Sequence, residues 1–190
     1  MFLKELESIE KQIESLQSQR VLLLQQEAKI DSVNDYVFQD SEGEEVLLSS
    51  LFKEKNTLIM VHNMGSGCSY CTLWADGFNG IVNHLNDAFS FVVVSPDDVE
   101  TMTDFAKSRD WKFKMISTNG TSFFEEMGFA NMREGKLYYT PGYSVFKKNE
   151  DGTISRVSMD YFGPMDSYSS IWHIINFIPN FGKWYPKKVY

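Results

Sequence analysis

The sequence predicts an α/β fold: a mixed central sheet with helices on both faces, preceded by an N-terminal helix. Two runs, Leu58-Ile59-Met60-Val61 and Phe91-Val92-Val93-Val94, are apolar at every position, as expected of strands covered on both faces. A helical stripe follows each of them. Later in the chain, Tyr143-Ser144-Val145-Phe146 and residues 154–157 flank Asn149-Glu150-Asp151-Gly152, which is turn chemistry for an antiparallel hairpin. The order is therefore β-α-β-α and then β-β-α, with parallel strands first and antiparallel ones last.

Residues 1–32 form a unit of their own, a helical extension, and residues 33–190 the α/β domain. The first thirty residues contain no Gly or Pro, and Phe2, Leu6, Ile9, Ile13, Leu16 and Leu23 recur three and four apart, one stripe of a helix. Arg20 and Glu27 interrupt the stripe. It fits a dimerising helix, hence a homodimer through residues 1–30, and equally a helix packed on its own domain. Glu42-Gly43-Glu44-Glu45 is a turn leading into an apolar stretch over residues 46–52. Trp74, Phe78, Ile81, Val82 and Leu85 mark one helix, weakened at Gly77 and Gly80. Asp98 caps the next, whose Val99, Met102, Phe105 and Ala106 share a face. Residues 113–116 read as a short strand, 122–127 as a short helix and 171–177 as a last helix.

Composition excludes several functions. The chain has 190 residues, with 18 basic and 26 acidic side chains and a net charge of −8, so it is a poor ligand for phosphate backbones or anionic lipid. No nucleic-acid or membrane partner is expected. No apolar run is long enough to span a bilayer, and no basic segment precedes an apolar one at the start. The reading is a soluble, cytoplasmic protein. Two cysteines, three residues apart, are not a disulfide framework; in a reducing compartment such a pair is redox-active or metal-binding.

Cys68-Ser69-Tyr70-Cys71 follows the first buried strand across Asn63-Met64-Gly65-Ser66-Gly67 and opens a helix. Residues i and i+3 of a helix lie ~5–6 Å apart, within the ~4.4–6.8 Å Cα separation a disulfide accepts. The first cysteine sits where unpaired N–H groups and the helix dipole favour an anion. Cys68 is thus the expected nucleophile and Cys71, one turn inside, the resolving thiol.

The run Pro141-Gly142-Tyr143-Ser144-Val145-Phe146-Lys147-Lys148-Asn149 resembles the proline–strand–turn segment of thioredoxins. That resemblance implies a cis peptide bond at Thr140–Pro141, beside the dithiol, with Thr140 and Pro141 shaping a surface for an extended peptide. A trans turn proline is the alternative, and the commoner form. His62-Asn63-Met64 and Gly67-Cys68-Ser69-Tyr70-Cys71-Thr72-Leu73-Trp74-Ala75-Asp76-Gly77-Phe78 resemble the signature of a thioredoxin-like family of uncharacterised, mainly bacterial proteins, roughly H-F-M-F-G…G-C-x-x-C-S-x-x-A-D-x-F. The likeness extends through residues 35–38, 111–113 and 141–146; the insert before the first cysteine is shorter here. It implies a thioredoxin-like fold and no settled activity. Residues 91–98 and 111–117 more distantly resemble peroxiredoxins. Those proteins carry Pro-x-x-x-Thr/Ser-x-x-Cys, whereas Gly65 stands three before Cys68 and no proline precedes it.

The leading expectation is a thiol–disulfide oxidoreductase acting on a protein or small-molecule disulfide or thiol. A thiol peroxidase and a non-catalytic interaction protein are the alternatives. His62 reads either as a proton shuttle for the dithiol or as a hydrogen-bonded histidine at a strand end. Tyr70 and Trp74 read as partner contacts beside the thiols or, for Trp74, as core. Asp76, off the thiol face of its helix, reads as a structural contact. No cofactor is expected. Zinc needs about four ligands, and His62, His84 and His173 offer no H-x-x-H beside the cysteines. The aromatic stretch 177–190 wraps either its own domain or a partner.

Overall fold

A computed structural model describes residues 2–188. It contains α1 (Phe2–Glu27), β1 (Ile30–Val33), β2 (Val37–Gln39), β3 (Glu45–Leu47), a 3-10 helix (Leu48–Phe52), β4 (Thr57–His62), α2 (Ser69–Ala88), β5 (Ser90–Ser95), α3 (Val99–Ser108), β6 (Lys114–Ser117), α4 (Phe123–Glu126), β7 (Ala130–Arg133), β8 (Lys136–Tyr139), β9 (Gly142–Lys148), β10 (Ile154–Tyr161) and α5 (Ser170–Asn176).

The main sheet has the order β1-β10-β9-β4-β5-β6-β2-β3, and β7-β8 form a separate hairpin. The apolar runs that predicted buried strands are its centre: β4 pairs with β5 and β5 with β6, all parallel. β9 adds to β4 antiparallel, and β10 to β9, completing the expected mixed sheet. Because side chains alternate along a strand, β4 feeds two cores. Leu58 and Met60 join the 3-10 helix and α4 on one face. Ile59 and Val61 join α2 and α3 on the other. Helices thus cover both faces, as the sequence predicts.

Local chemistry accounts for the connections. Asp98 caps α3, its carboxylate accepting from the Thr101 N–H at 2.8 Å. The β9–β10 turn closes through Asn149 and Thr153 at 2.8 Å, with Gly152 at φ +85°. β10 runs four residues past the expected end, through a register shift between Arg156 and Ser158. At the start of β9, a Cβ on Gly142 would lie 2.2 Å from the Asp160 carbonyl and 2.5 Å from the Phe129 ring, so only glycine fits that crossing.

α1 contributes no buried residue. Its hold on the domain is at its C-terminal end, where Arg20 meets Asp160 at 2.6 Å and Ala28 is buried. The buried Arg156 guanidinium donates to the carbonyls of Ala28 (2.8 Å) and Met127 (2.6 Å), tying the chain after α1 to the loop after α4. Among the described residues no helix is long and apolar enough to cross a membrane.

Candidate functional site

Cys68 is the N-cap of α2. Its extended backbone (φ −95°, ψ 107°) brings its Sγ onto the Cys71 N–H at 3.0 Å. A helix start leaves such N–H groups unpaired, so the sulfur takes the place an oxygen occupies in an ordinary cap. Cys71 is buried, its Sγ 3.4 Å from the Met64 N–H, and both cysteines are free thiols. The two sulfurs titrate apart. A hydrogen bond from the Cys71 thiol, aided by the backbone N–H groups of Cys71 and Tyr70 and opposed by burial, brings the Cys68 thiol down to about 7. Burial, then the neighbouring Cys68, pushes Cys71 well above the thiol range. Near neutral pH, Cys68 is therefore divided between thiol and thiolate, while Cys71 holds its proton.

The loop before the dithiol is fixed by two residues that the sequence reading does not single out. Asn63 Oδ1 accepts from the Gly65 N–H at 2.9 Å, and Asp97 Oδ2 from the Ser66 N–H at 2.6 Å. Gly65 has φ +100°, and a Cβ there would meet Asp97 Oδ1 at 2.6 Å. For Asp97 the sequence signal is the run Ser95-Pro96-Asp97-Asp98 at the end of β5, where Asp98 alone has an obvious helix-capping role.

Pro141 lies beside the dithiol, lining one small hollow together with Cys71, Trp74, Asn63 and Phe162. The cis bond expected at Thr140–Pro141 is not found: it is trans, like every peptide bond among the described residues. Trans is the lower-energy form of an X–Pro bond by ~0.5–1 kcal/mol. Thr140 donates its N–H to the Phe129 carbonyl at 2.8 Å, an anchor toward the opposite core. Trp74 is core, 2 % exposed, with its ring 5.2 Å from Phe162. Tyr70, half-buried, stacks on Trp172 at 6.0 Å and meets Tyr185 edge-on at 6.5 Å. Part of the aromatic C-terminal stretch therefore wraps its own domain beside the dithiol; residues 189 and 190 lie outside the described residues. Tyr70, Trp172 and Trp184 line a groove of about 420 Å³ there.

His62 is turned away. It shares the parity of Leu58 and Met60, so its ring enters the opposite core, stacked 3.8 Å from Phe129. It is fully buried, its Nε2 is 2.9 Å from Ser144 Oγ, and burial followed by the charge of Arg156 lowers its pKa well below the usual range. His62 borders the hollow beside Cys71, but its ring contacts and hydrogen bond are those of a neutral packing histidine. Asp76 meets Arg109 at 2.5 Å and the Trp111 indole N–H at 2.9 Å, docking α2 onto the chain after α3. Among the described residues no cluster of His, Cys, Asp and Glu is arranged to hold a metal.

A βαβ core with a C-x-x-C dithiol at the start of its first sheet-packed helix, and a proline beside it from an antiparallel strand, defines a protein of thioredoxin-like fold. The chain belongs to the family described as "Bacterial protein of unknown function (DUF899)", whose model matches residues 1–183. No curated protein matches it. Among solved structures it is similar to peroxidoxin BcpB from Mycobacterium tuberculosis, with a TM-score of 0.58 and 19% identity over 79% of this chain and 97% of that one. It is also similar to peroxiredoxin Q from Xanthomonas campestris, at TM-score 0.57 and 16% identity over 75% and 90%. For PrxQ from Xylella fastidiosa the TM-score is 0.59 and the identity 11%, over 76% and 90%. At these identities the likeness is one of fold.

Proposed function

We propose that this protein is a thiol–disulfide oxidoreductase working through Cys68 and Cys71. The observation that carries the reading is the division of labour between the two sulfurs. Cys68 is half-exposed, capped by an N–H and lowered to about 7, while Cys71 is buried one turn inside and protonated. The Cys68 thiolate attacks one sulfur of a substrate disulfide, forming a mixed disulfide and expelling the other sulfur as a thiolate, which takes a proton from solvent. Cys71 then loses its proton and attacks Cys68 Sγ, closing the Cys68–Cys71 disulfide and releasing the second substrate thiol. The substrate gains two electrons, the protein loses two, and an external dithiol must return them.

The test is reduction of insulin disulfides with dithiothreitol as the electron source. Wild type should accelerate the reaction, Cys68→Ser should abolish it, and Cys71→Ser should accumulate the mixed disulfide. Equilibration in thiol buffers should give a two-electron couple roughly between −270 and −120 mV. Failure to form the disulfide under mild oxidant would remove the reading.

A second reading, thiol peroxidase, is favoured by the peroxiredoxin folds that the chain is similar to. Here the Cys68 thiolate would attack a peroxide oxygen, breaking the O–O bond to give the sulfenic acid and water or an alcohol. Cys71 would then condense with the sulfenic acid, closing the disulfide and releasing water. The loop argues against efficient peroxide activation: Gly65 offers no hydroxyl, and the acid Asp97 holds the Gly65–Ser66 turn. Consumption of hydrogen peroxide at a rate matching disulfide reduction, with a trappable Cys68 sulfenate in Cys71→Ser, would select this reading instead.

A further inference from the structure

We infer that α1 is the dimerisation element, and that its occupant is α1 of a second copy of this chain lying antiparallel to it. Residues 2–19 touch little of their own domain; the helix has no buried residue, and its side-chain anchor is Arg20 on Asp160. In proteins most of a helix's stability comes from packing its amphipathic face, and this face has no partner within its own domain. Phe2, Leu3, Leu6, Ile9, Ile13 and Leu16 stand 40–74 % exposed along it.

The stripe has the spacing of a coiled-coil seam. Phe2, Leu6, Ile9, Ile13 and Leu16 fall alternately four and three apart, the d and a positions of consecutive heptads. Arg20, the next position, leaves the seam to bind Asp160, so the seam ends where the domain begins. The five seam side chains and Leu3 beside them expose on the order of 600 Å², which with the flanking Glu and Gln stems approaches the ~800 Å² per partner of a standard interface. The stripe is thus the right size for one helix of its own kind.

Charge selects the direction. Parallel pairing would set Glu5 against the second copy's Glu10 on both sides of the seam. In the antiparallel alignment Ile9 faces the second copy's Ile13, Leu6 faces its Leu16, and Gln12 meets Gln12. The single like-charge meeting is Glu10 with Glu10 at the rim. Phe2 of each copy then reaches the other's Arg20, and the two domains sit at opposite ends. The inference is independent of the redox reading, because α1 supplies nothing to the dithiol.

Sedimentation equilibrium of the full chain tests it. Wild type should give twice the 21.9 kDa chain mass at micromolar concentration, and Ile9→Glu/Ile13→Glu should give a monomer with reduced helical circular dichroism. The Cys68 alkylation rate should be unchanged in that variant, which separates lost assembly from lost folding. With both native cysteines changed to Ser, Gln12→Cys should cross-link to itself under oxidant and Ile13→Cys should not. A monomeric wild type, or a dimer that survives Ile9→Glu/Ile13→Glu, would overturn the inference. Cross-linking through Ile13→Cys alone would overturn its direction.

Discussion

The Cys68 sulfur accepts the Cys71 N–H at 3.0 Å, and the Cys71 thiol is the largest influence lowering its pKa to about 7. The alkylation rate of Cys68 by iodoacetamide should therefore rise with pH and level off above a midpoint near 7. Cys71→Ala should move that midpoint upward, because it removes the thiol that donates to the thiolate. The same shift fixes a sign for stability. Folding lowers the Cys68 pKa, so this group's contribution is complete above the ordinary thiol range and fades as pH falls through about 7. Two glycines beside the site are fixed by space rather than chemistry. Gly142→Ala would drive a methyl into the Asp160 carbonyl at 2.2 Å and should cost about 2–3 kcal/mol by chemical denaturation. Gly65→Ala combines φ +100° with the Asp97 carboxylate at 2.6 Å, and should displace the loop and slow Cys68 alkylation.

Helix α2 carries the dithiol at its first turn but weak helix formers further on. Gly77 and Gly80 are exposed, have ordinary φ, and leave open space where a Cβ would be. Gly77→Ala and Gly80→Ala should each stabilise the protein by about 0.5–1 kcal/mol, raising the melting temperature by roughly 2–4 °C per kcal/mol in a chain of this size. Neither should alter the Cys68 alkylation profile, since both lie more than a turn from the thiols. The elements legible in the sequence were those whose burial pattern is local: β4, β5, the capped α3 and the β9–β10 hairpin. The β7–β8 hairpin was not legible. Asn131, Met132 and Arg133 are exposed, and the turn falls on Glu134 and Gly135, both at positive φ, with no alternation of apolar residues to announce it. β1 and β2 escaped for a related reason. Ile30–Val33 and Val37–Gln39 are short segments near the sheet's edges, each burying a single side chain.

For the whole molecule, the attachment of α1 makes a graded prediction. Deleting residues 2–19 removes no buried side chain and leaves Arg20 and Ala28 in place, so the domain should melt cooperatively, with less concentration dependence than the full chain. Deleting through residue 29 also removes the Ala28 carbonyl that accepts from the buried Arg156 guanidinium at 2.8 Å. The guanidinium keeps the Met127 carbonyl but loses a charge-assisted hydrogen bond, which costs about 1.5–3 kcal/mol, and that truncation should unfold at lower denaturant concentration.

What the sequence determined by itself was whatever depends on neighbours along the chain. Apolar runs without polar breaks had to be central strands, Asp98 had to cap, and two cysteines three apart at a helix start had to share one turn. The candidate site was legible to that extent in Cys68 and Cys71, while the nearness of Pro141 was implied by the resemblance to thioredoxins. Tertiary structure decided what depends on facing and on distant partners. His62 ends the strand that leads to the dithiol, yet strand parity carries its ring into the opposite core, against Phe129. The trans bond before Pro141 and the Asp97 clamp on Ser66 likewise come from segments about thirty or more residues away from the dithiol loop. Periodicity fixes which residues share a face of one element; only the packing of elements decides which chemistry that face meets.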